Sequence, residues 1–428
     1  MLQKSLKWML LTLLLAGLLI GGIVWIVSAV SAPAIAAATP APTPAAPSAI
    51  PAAAPTPSPS PTASPAPPET PEPETDWLAA YMDTMTIEQK LGQLVMFGGS
   101  GTNRPDSDFA SILQDYPVGN IVLYGANIAK NDDDGGFSRA QRLLSAIAET
   151  SACDLPPLVS IDVEGGDVVR FRWDTWPLSA RKLGSRNDPD EAYEQFLSIG
   201  RKLLETGINM NLAPVLDVSD DPMRTFLTTR IISSDEEIVS SIGVAIIEGL
   251  HDAGCLATAK HFPGHGGTTA DSHATTPVIR RSAESLAAYD LVPFTAAIDA
   301  GVDVVLVAHI LYPSLDEERI ATLSPAIITG LLREQLGFDG IVLSDDFRMG
   351  GLTGQCGAGE AAVRFLLAGG DLILCGPQHE AQREIMEALL SAVSDGTLTE
   401  ERIDESVARI LQKKMLVTGW SPVPGSAG

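Results

Sequence analysis

Cysteine is scarce: four residues among 428, Cys153, Cys255, Cys356 and Cys375. None falls in a C-x-x-C pair or a zinc-like spacing, so a metal framework has no support, while one disulfide stays open if the chain is exported. Basic residues are also few. Twenty-eight Lys and Arg against 53 Asp and Glu give a formal net charge of −25, a surface that repels phosphate backbones and excludes nucleic acid as a partner. Long uncharged runs are rarer still, and the one that matters is Met9 to Val30.

That run is long enough to cross a bilayer as a helix. Lys4 and Lys7 precede it and no basic residue follows closely, which orients everything downstream outside the cytoplasm. Ala34-Ile35-Ala36 offers a cleavage-like site, but the run exceeds the usual signal-peptide core, so residues 1–36 read as a signal anchor, with a cleaved signal peptide as the alternative. No cysteine follows the run to carry a lipid. Residues 37–75 are Pro, Ala, Thr and Ser with almost no large apolar side chain. Such a stretch cannot bury enough surface to fold and serves as a spacer. A single-pass membrane protein with its folded part outside the cytoplasm is the expected arrangement.

From Asp76 to about residue 420 short apolar stretches alternate with helical ones, the pattern of repeated βα units around a parallel sheet; 421–428 is a flexible tail. Eight candidate strands run Gly92–Phe97, Gly119–Tyr124, Leu158–Asp162, Met210–Val215, Leu256–His261, Val302–His309, Gly340–Asp345 and Asp371–Cys375. Helical spacing marks Glu191–Glu205, Glu236–Ala253, Ala283–Ala300, Pro325–Leu336, Ala361–Ala368 and Thr399–Leu416. Eight such units predict an α/β fold of the TIM-type (β/α)8 barrel class, a single catalytic domain, expected as a monomer. A dinucleotide-binding open sheet lacks its signature, since no G-x-G-x-x-G turn follows the first strand.

Polar residues gather where barrels do chemistry. Asp162, Asp217, Lys260, His261, His309 and Asp345 all fall at or just past carboxyl ends of expected strands. The densest cluster is Lys260-His261-Phe262-Pro263-Gly264-His265-Gly266-Gly267, followed by Asp271-Ser272-His273. Asp271, two residues before His273, can orient and polarise its imidazole for proton transfer. A competing reading takes His261, His265, His273 and Asp271 as metal ligands. Asp345 and Asp346 end the seventh strand together, and alternation lets only one face the barrel axis. Asp345 is the candidate nucleophile and Asp346 suits a helix cap. Asp162 ends the third strand before Glu164-Gly165-Gly166, a carboxylate able to grip paired hydroxyls, although turn chemistry explains the glycines equally well. A two-carboxylate glycosidase would pair Asp345 with Asp162 or Glu164.

Together these segments, from about Met85 to Gly376, resemble family 3 of the glycoside hydrolases, in its single-barrel β-N-acetylhexosaminidase branch. The K-H-F-P-G-H-G…D-S-H run is the most specific match. The resemblance implies Asp345 as nucleophile and His273 with Asp271 as the acid/base pair. It further implies sugar contacts from Asp162, Lys260, His261 and Arg230, with His309 and Met349 completing the candidate substrate contacts. The chain departs from the family around Arg230, where Leu227-Thr228-Thr229-Arg230-Ile231-Ile232 replaces the usual I-G-x-R-S-F. The activity implied is removal of terminal β-linked N-acetylglucosamine from peptidoglycan fragments or chitin oligomers, with no cofactor. Rival readings are a β-glucosidase or an N-acetylglucosaminide phosphorylase of the same family, a wall-binding module without catalysis, and a zinc hydrolase. The family's β-glucosidases carry a second domain that supplies a glutamate, and this chain reads as the shorter branch. Its glycine-rich loop is expected to be poorly ordered until sugar binds.

Overall fold

The structure, a computed structural model, describes residues 77–128 and 131–422. The apolar run Met9–Val30, the spacer 37–75 and nearly all of the C-terminal tail lie outside the described residues. Among those described, no helix is long and apolar enough to cross a membrane.

Among the described residues there are ten strands: β1 (Val95–Phe97), β2 (Asn120–Leu123), β3 (Leu158–Ile161), β4 (Val163–Gly165), β5 (Val168–Val169), β6 (Met210–Asn211), β7 (Leu256–Phe262), β8 (Val304–Val307), β9 (Ile341–Ser344) and β10 (Ile373–Cys375). Eight of them form one sheet in the order β10-β1-β2-β3-β6-β7-β8-β9, which is chain order wrapped around. Every neighbour pair in it is parallel. The ring closes narrowly. Leu343 bridges Leu372, and Ser344 N donates to Leu372 O at 3.0 Å. This is the expected (β/α)8 near-barrel, with β4 and β5 added as an antiparallel hairpin at the exit of β3.

Local chemistry explains the elements. Val304-Val305-Leu306-Val307 is buried throughout, as required of a parallel strand covered on both faces. The helix Glu236–Ala253 starts at Asp235, whose carboxylate accepts from Glu237 N and Ile238 N, and stops at Gly254 with φ 87°. Between those caps Val239, Ile242, Ile246 and Leu250 recur at three- or four-residue spacing and are buried. Each such side chain contributes roughly 1.5–3 kcal/mol of transfer free energy, so a charge at Ile246 would dislodge the helix.

Sequence boundaries shift for identifiable reasons. Gly92 and Gln93 belong to the helix Ile87–Gln93, so the first strand begins at Val95. The Met210–Val215 strand pairs regularly only at Met210–Asn211, with one further bridge from Val215 to Lys260; Pro214 has no N–H to give the ladder. The expected helix Ala283–Ala300 is split by a wider i→i+5 turn at Leu286–Asp290 just ahead of Pro293. All four cysteines are free thiols.

The amino-terminal pole of the barrel is tied by buried ion pairs. Asp371 accepts from Val342 N at 2.8 Å and Ser406 Oγ at 2.6 Å, and pairs with Arg333 and Arg409. Asp303 accepts from Ala257 N at 3.1 Å and Lys413 Nζ at 2.7 Å. Arg409, Lys413 and Ser406 all lie on the closing helix Glu400–Thr418, so that helix plugs this end. The opposite pole is left for chemistry.

Candidate active site

Around the carboxyl ends of β3 and β7 five charged residues interlock. Lys260 Nζ lies 2.7 Å from Asp162 Oδ1 and 2.7 Å from Glu164 Oε1, with its side chain only 3% exposed. Arg230 grips Glu164 with two bonds, Nε to Oε2 at 2.8 Å and Nη2 to Oε1 at 2.9 Å. Arg170 reaches Asp162 at 3.0 Å. Burial alone would raise the Asp162 pKa, but Lys260 and then Arg170 hold it far below the usual carboxylate range. Glu164 is likewise held down against burial by Arg230 and Lys260. Both carboxylates are therefore anions at neutral pH. Arg230 takes this place despite the altered stretch around it, with Thr228 at φ 39° where the family pattern has glycine.

Asp217, at 0% exposure, organises the next layer. Its Oδ2 lies 2.6 Å from His261 Nδ1, while Oδ1 accepts from the backbone N–H groups of His265 at 2.6 Å and His261 at 3.2 Å. Burial opposes its charge, but the His261 imidazole and these bonds keep its pKa below the ordinary value. With Nδ1 so held, His261 turns Nε2 toward Arg230, 3.4 Å away. His265 is buried, its Nε2 2.9 Å from Ser272 Oγ, and burial followed by the neighbouring His261 pushes its pKa down to about 4.

The paired aspartates separate by partner. Asp346 accepts from Tyr124 OH at 2.6 Å, from Arg348 Nε at 3.0 Å, and from the backbone N–H groups of Arg348 and Gly376. The expected helix cap is not formed: the helix Gly350–Thr353 is capped at Met349 without a side-chain bond, and Asp346 instead accepts from Arg348 N in the turn before it. Asp345 is half-buried, and its Oδ1 accepts from Asp346 N at 2.8 Å. The less encumbered carboxylate is the one suited to attack.

The histidine-bearing loop completes the ring. Asp271 Oδ1 lies 2.7 Å from His273 Nδ1 and also accepts from His273 N. Burial works against Asp271, but the two His273 bonds hold its pKa down, which leaves His273 Nε2 as the nitrogen free to exchange a proton with a ligand.

One cavity of about 410 Å3 is lined by Asp162, Glu164, Arg230, Lys260, His261, His273, Asp345 and Met349, together with Tyr124, Arg170, Phe226 and Arg348. The structure thus brings together all the candidate contacts except His309 and Asp271. Asp271 stands behind His273. His309 is a correction: at 0% exposure it lies outside the lining, with Nδ1 on Thr322 Oγ1 at 2.7 Å and Nε2 by Asp346 O at 3.2 Å. Position at a strand end did not reveal which side of the strand it faced. The metal reading also lacks geometry. Among the described residues, the one grouping of three His, Cys or carboxylate ligand atoms within 4.8 Å of each other is Asp106, Asp108 and His379, away from this cavity.

Glu164 and Asp217 are the functional residues that sequence reasoning undervalued. Glu164 had a signal, because a residue two past Asp162 along an extended chain shares its side. Asp217 showed only as another strand-end carboxylate.

Comparison with known proteins agrees with this architecture. The family model for the glycosyl hydrolase family 3 N terminal domain matches residues 86–413. A β-hexosaminidase from Tolumonas auensis is 37% identical over 66% of this chain and 83% of that protein. The chain spans 61% of the length of β-hexosaminidase A from Pseudoalteromonas piscicida, to which it is 28% identical over 77% of its own length. Among solved structures, a glycoside hydrolase family 3 β-N-acetylglucosaminidase from Paenibacillus sp. str. FPU-7 aligns with TM-score 0.74 and 38% identity, over 80% of this chain and 65% of that one. With the match running through every barrel strand and every cavity-lining residue named above, the chain belongs to family 3 of the glycosyl hydrolases.

Proposed function

We propose that the protein is a retaining β-N-acetylhexosaminidase that releases terminal, non-reducing β-linked N-acetylglucosamine. The observation that carries this reading is that Asp345 and His273, 72 positions apart by their numbers, line one cavity whose floor is the Asp162–Lys260–Glu164–Arg230 network. The floor anions and cations match the donors and acceptors of sugar hydroxyls. Names of relatives with β-hexosaminidase and β-N-acetylglucosaminidase activity support the sugar.

In the first step an Asp345 oxygen attacks the anomeric carbon as the bond to the leaving oxygen breaks, and protonated His273 gives that oxygen its proton. The products are a glycosyl ester on Asp345, a free acceptor and a neutral imidazole. In the second step His273 takes a proton from water, the water oxygen attacks the anomeric carbon and the ester bond to Asp345 breaks. Two inversions return the original configuration. Asp271, 2.7 Å from His273 Nδ1, orients the ring so that its other nitrogen can alternate between acid and base roles.

Peptidoglycan fragments are our first choice of natural substrate, ahead of chitin oligomers. A single barrel over 76–420, held outside the cytoplasm by Met9–Val30 and spaced from the membrane by 37–75, would place the site beside the wall. The test is hydrolysis of 4-nitrophenyl β-N-acetylglucosaminide and of the matching glucoside by the full chain. Asp345→Asn should lose at least about 10³-fold in kcat while still binding N-acetylglucosamine. Equal turnover of the glucoside, or an active Asp345→Asn, would overturn the proposal.

A further inference from the structure

His273 and Asp271 have side chains 64% and 47% exposed. Their mutual bond orients one ring against one carboxylate, but among the described residues neither side chain hydrogen-bonds to any other side chain. The residue between them differs. Ser272 is 1% exposed and sits in the wall of the cavity.

Two contacts hold it and a third holds His273 beside it. Ser272 Oγ is 2.9 Å from Nε2 of His265, itself 1% exposed. Gly351 N donates to Ser272 O at 2.9 Å, and Gly350 N donates to His273 O at 3.0 Å. Those glycines follow the nucleophile strand, and their approach leaves no room for a side chain. A Cβ on Gly350 would fall 2.6 Å from Ala274 O, and one on Gly351 would fall 2.9 Å from His309 O. His265 is pinned in turn, because its backbone N–H donates to Asp217, the carboxylate that also holds the sugar-facing His261.

We propose that His265 and Ser272 are positioning residues that latch the acid/base loop in its working place, with Asp217 shared between this latch and the sugar-facing His261. The inference rests on the glycosidase reading above and adds how an exposed imidazole is kept at the glycosidic oxygen. Both line the cavity, and neither gives or takes a proton in the proposed steps. Their loss should therefore impair proton delivery selectively, and leave attack by Asp345 intact.

That selectivity gives the experiment. The full chain is assayed on two β-N-acetylglucosaminides: the 2,4-dinitrophenyl glycoside, whose phenolate departs without a proton, and a methyl glycoside or disaccharide, whose alkoxide cannot. kcat/KM reports the first chemical step for both. Ser272→Ala and His265→Ala should lower kcat/KM about tenfold on the alkyl aglycone, the scale of one buried hydrogen bond. On the dinitrophenyl aglycone the change should stay within about twofold. His265→Gln, which keeps a polar atom near the place of Nε2, should recover much of the loss. Thermal melts of each variant establish that the fold persists. Equal losses on both aglycones, or no loss on either, would overturn the latch. Failure of the wild-type chain to cleave any of these glycosides would instead overturn the proposed function.

Discussion

Replacing Lys260 by Met tests the electrostatic reasoning most directly. The ammonium is almost fully buried and is shared at 2.7 Å by Asp162 and Glu164. Removing one member of a buried charge cluster costs about 3–5 kcal/mol; here Arg170 and Arg230 remain to neutralise the carboxylates, so the lower end, about 3 kcal/mol, applies. Unfolding entropy near 2.1 cal/mol/K per residue gives about 0.7 kcal/mol/K for a body of roughly 340 residues, so Tm should fall by about 4 °C. The sign with pH follows from the shifts. Asp162 and Glu164 have lowered pKa values in the fold, so their contribution is full above the unfolded value of about 4 and is lost as pH falls through the folded values. Lys260 has a raised pKa: burial opposes its charge, but Asp162 and Glu164 outweigh it. Its contribution is full below the unfolded value of about 10.4 and is lost as pH rises through the folded one. The gap between wild type and Lys260→Met should be widest from about pH 4 to 10 and narrow outside that window. Calorimetry or fluorescence melts across pH 3 to 11 measure it. A gap absent at pH 7 would refute the argument.

Thr228 occupies a left-handed backbone position, φ 39°, with its side chain exposed. Thr228→Gly should raise stability by about 0.5–1 kcal/mol after the entropy of glycine is counted, visible as a higher urea midpoint; a lower midpoint would contradict the strain argument. Asp371→Ala removes the centre of the buried network at the amino-terminal pole. It should cost more than about 4 kcal/mol in urea unfolding while kcat/KM per folded molecule stays unchanged, since that network lies at the other end of the barrel. Product analysis in phosphate buffer should give free N-acetylglucosamine. A sugar 1-phosphate would instead mean that phosphate, tolerated by a neutral imidazole better than by a carboxylate, replaces water.

By itself the amino-acid sequence determined the barrel and most of the site, because both are written in local chemistry. Eight apolar strand segments carry their polar residues at one end, and the run from Lys260 to His273 concentrates proton-transfer groups in a single loop. The preference for Asp345 over Asp346 rests on its ending the expected strand; both line the cavity, and Asp346 is the one engaged by Tyr124 and Arg348. Tertiary structure decided what depends on groups remote in the chain. His309 turned out to be buried behind the lining, held between Thr322 and Asp346, because what covers a strand-end residue is set by the packing of its neighbours. Glu164 and Asp217 became central only when β7 delivered Lys260 and His261 to them, and Ser272 became an anchor only when His265 and the glycines after β9 closed around it. A carboxylate or hydroxyl has no fixed role in one dimension; burial and the charge beside it assign one.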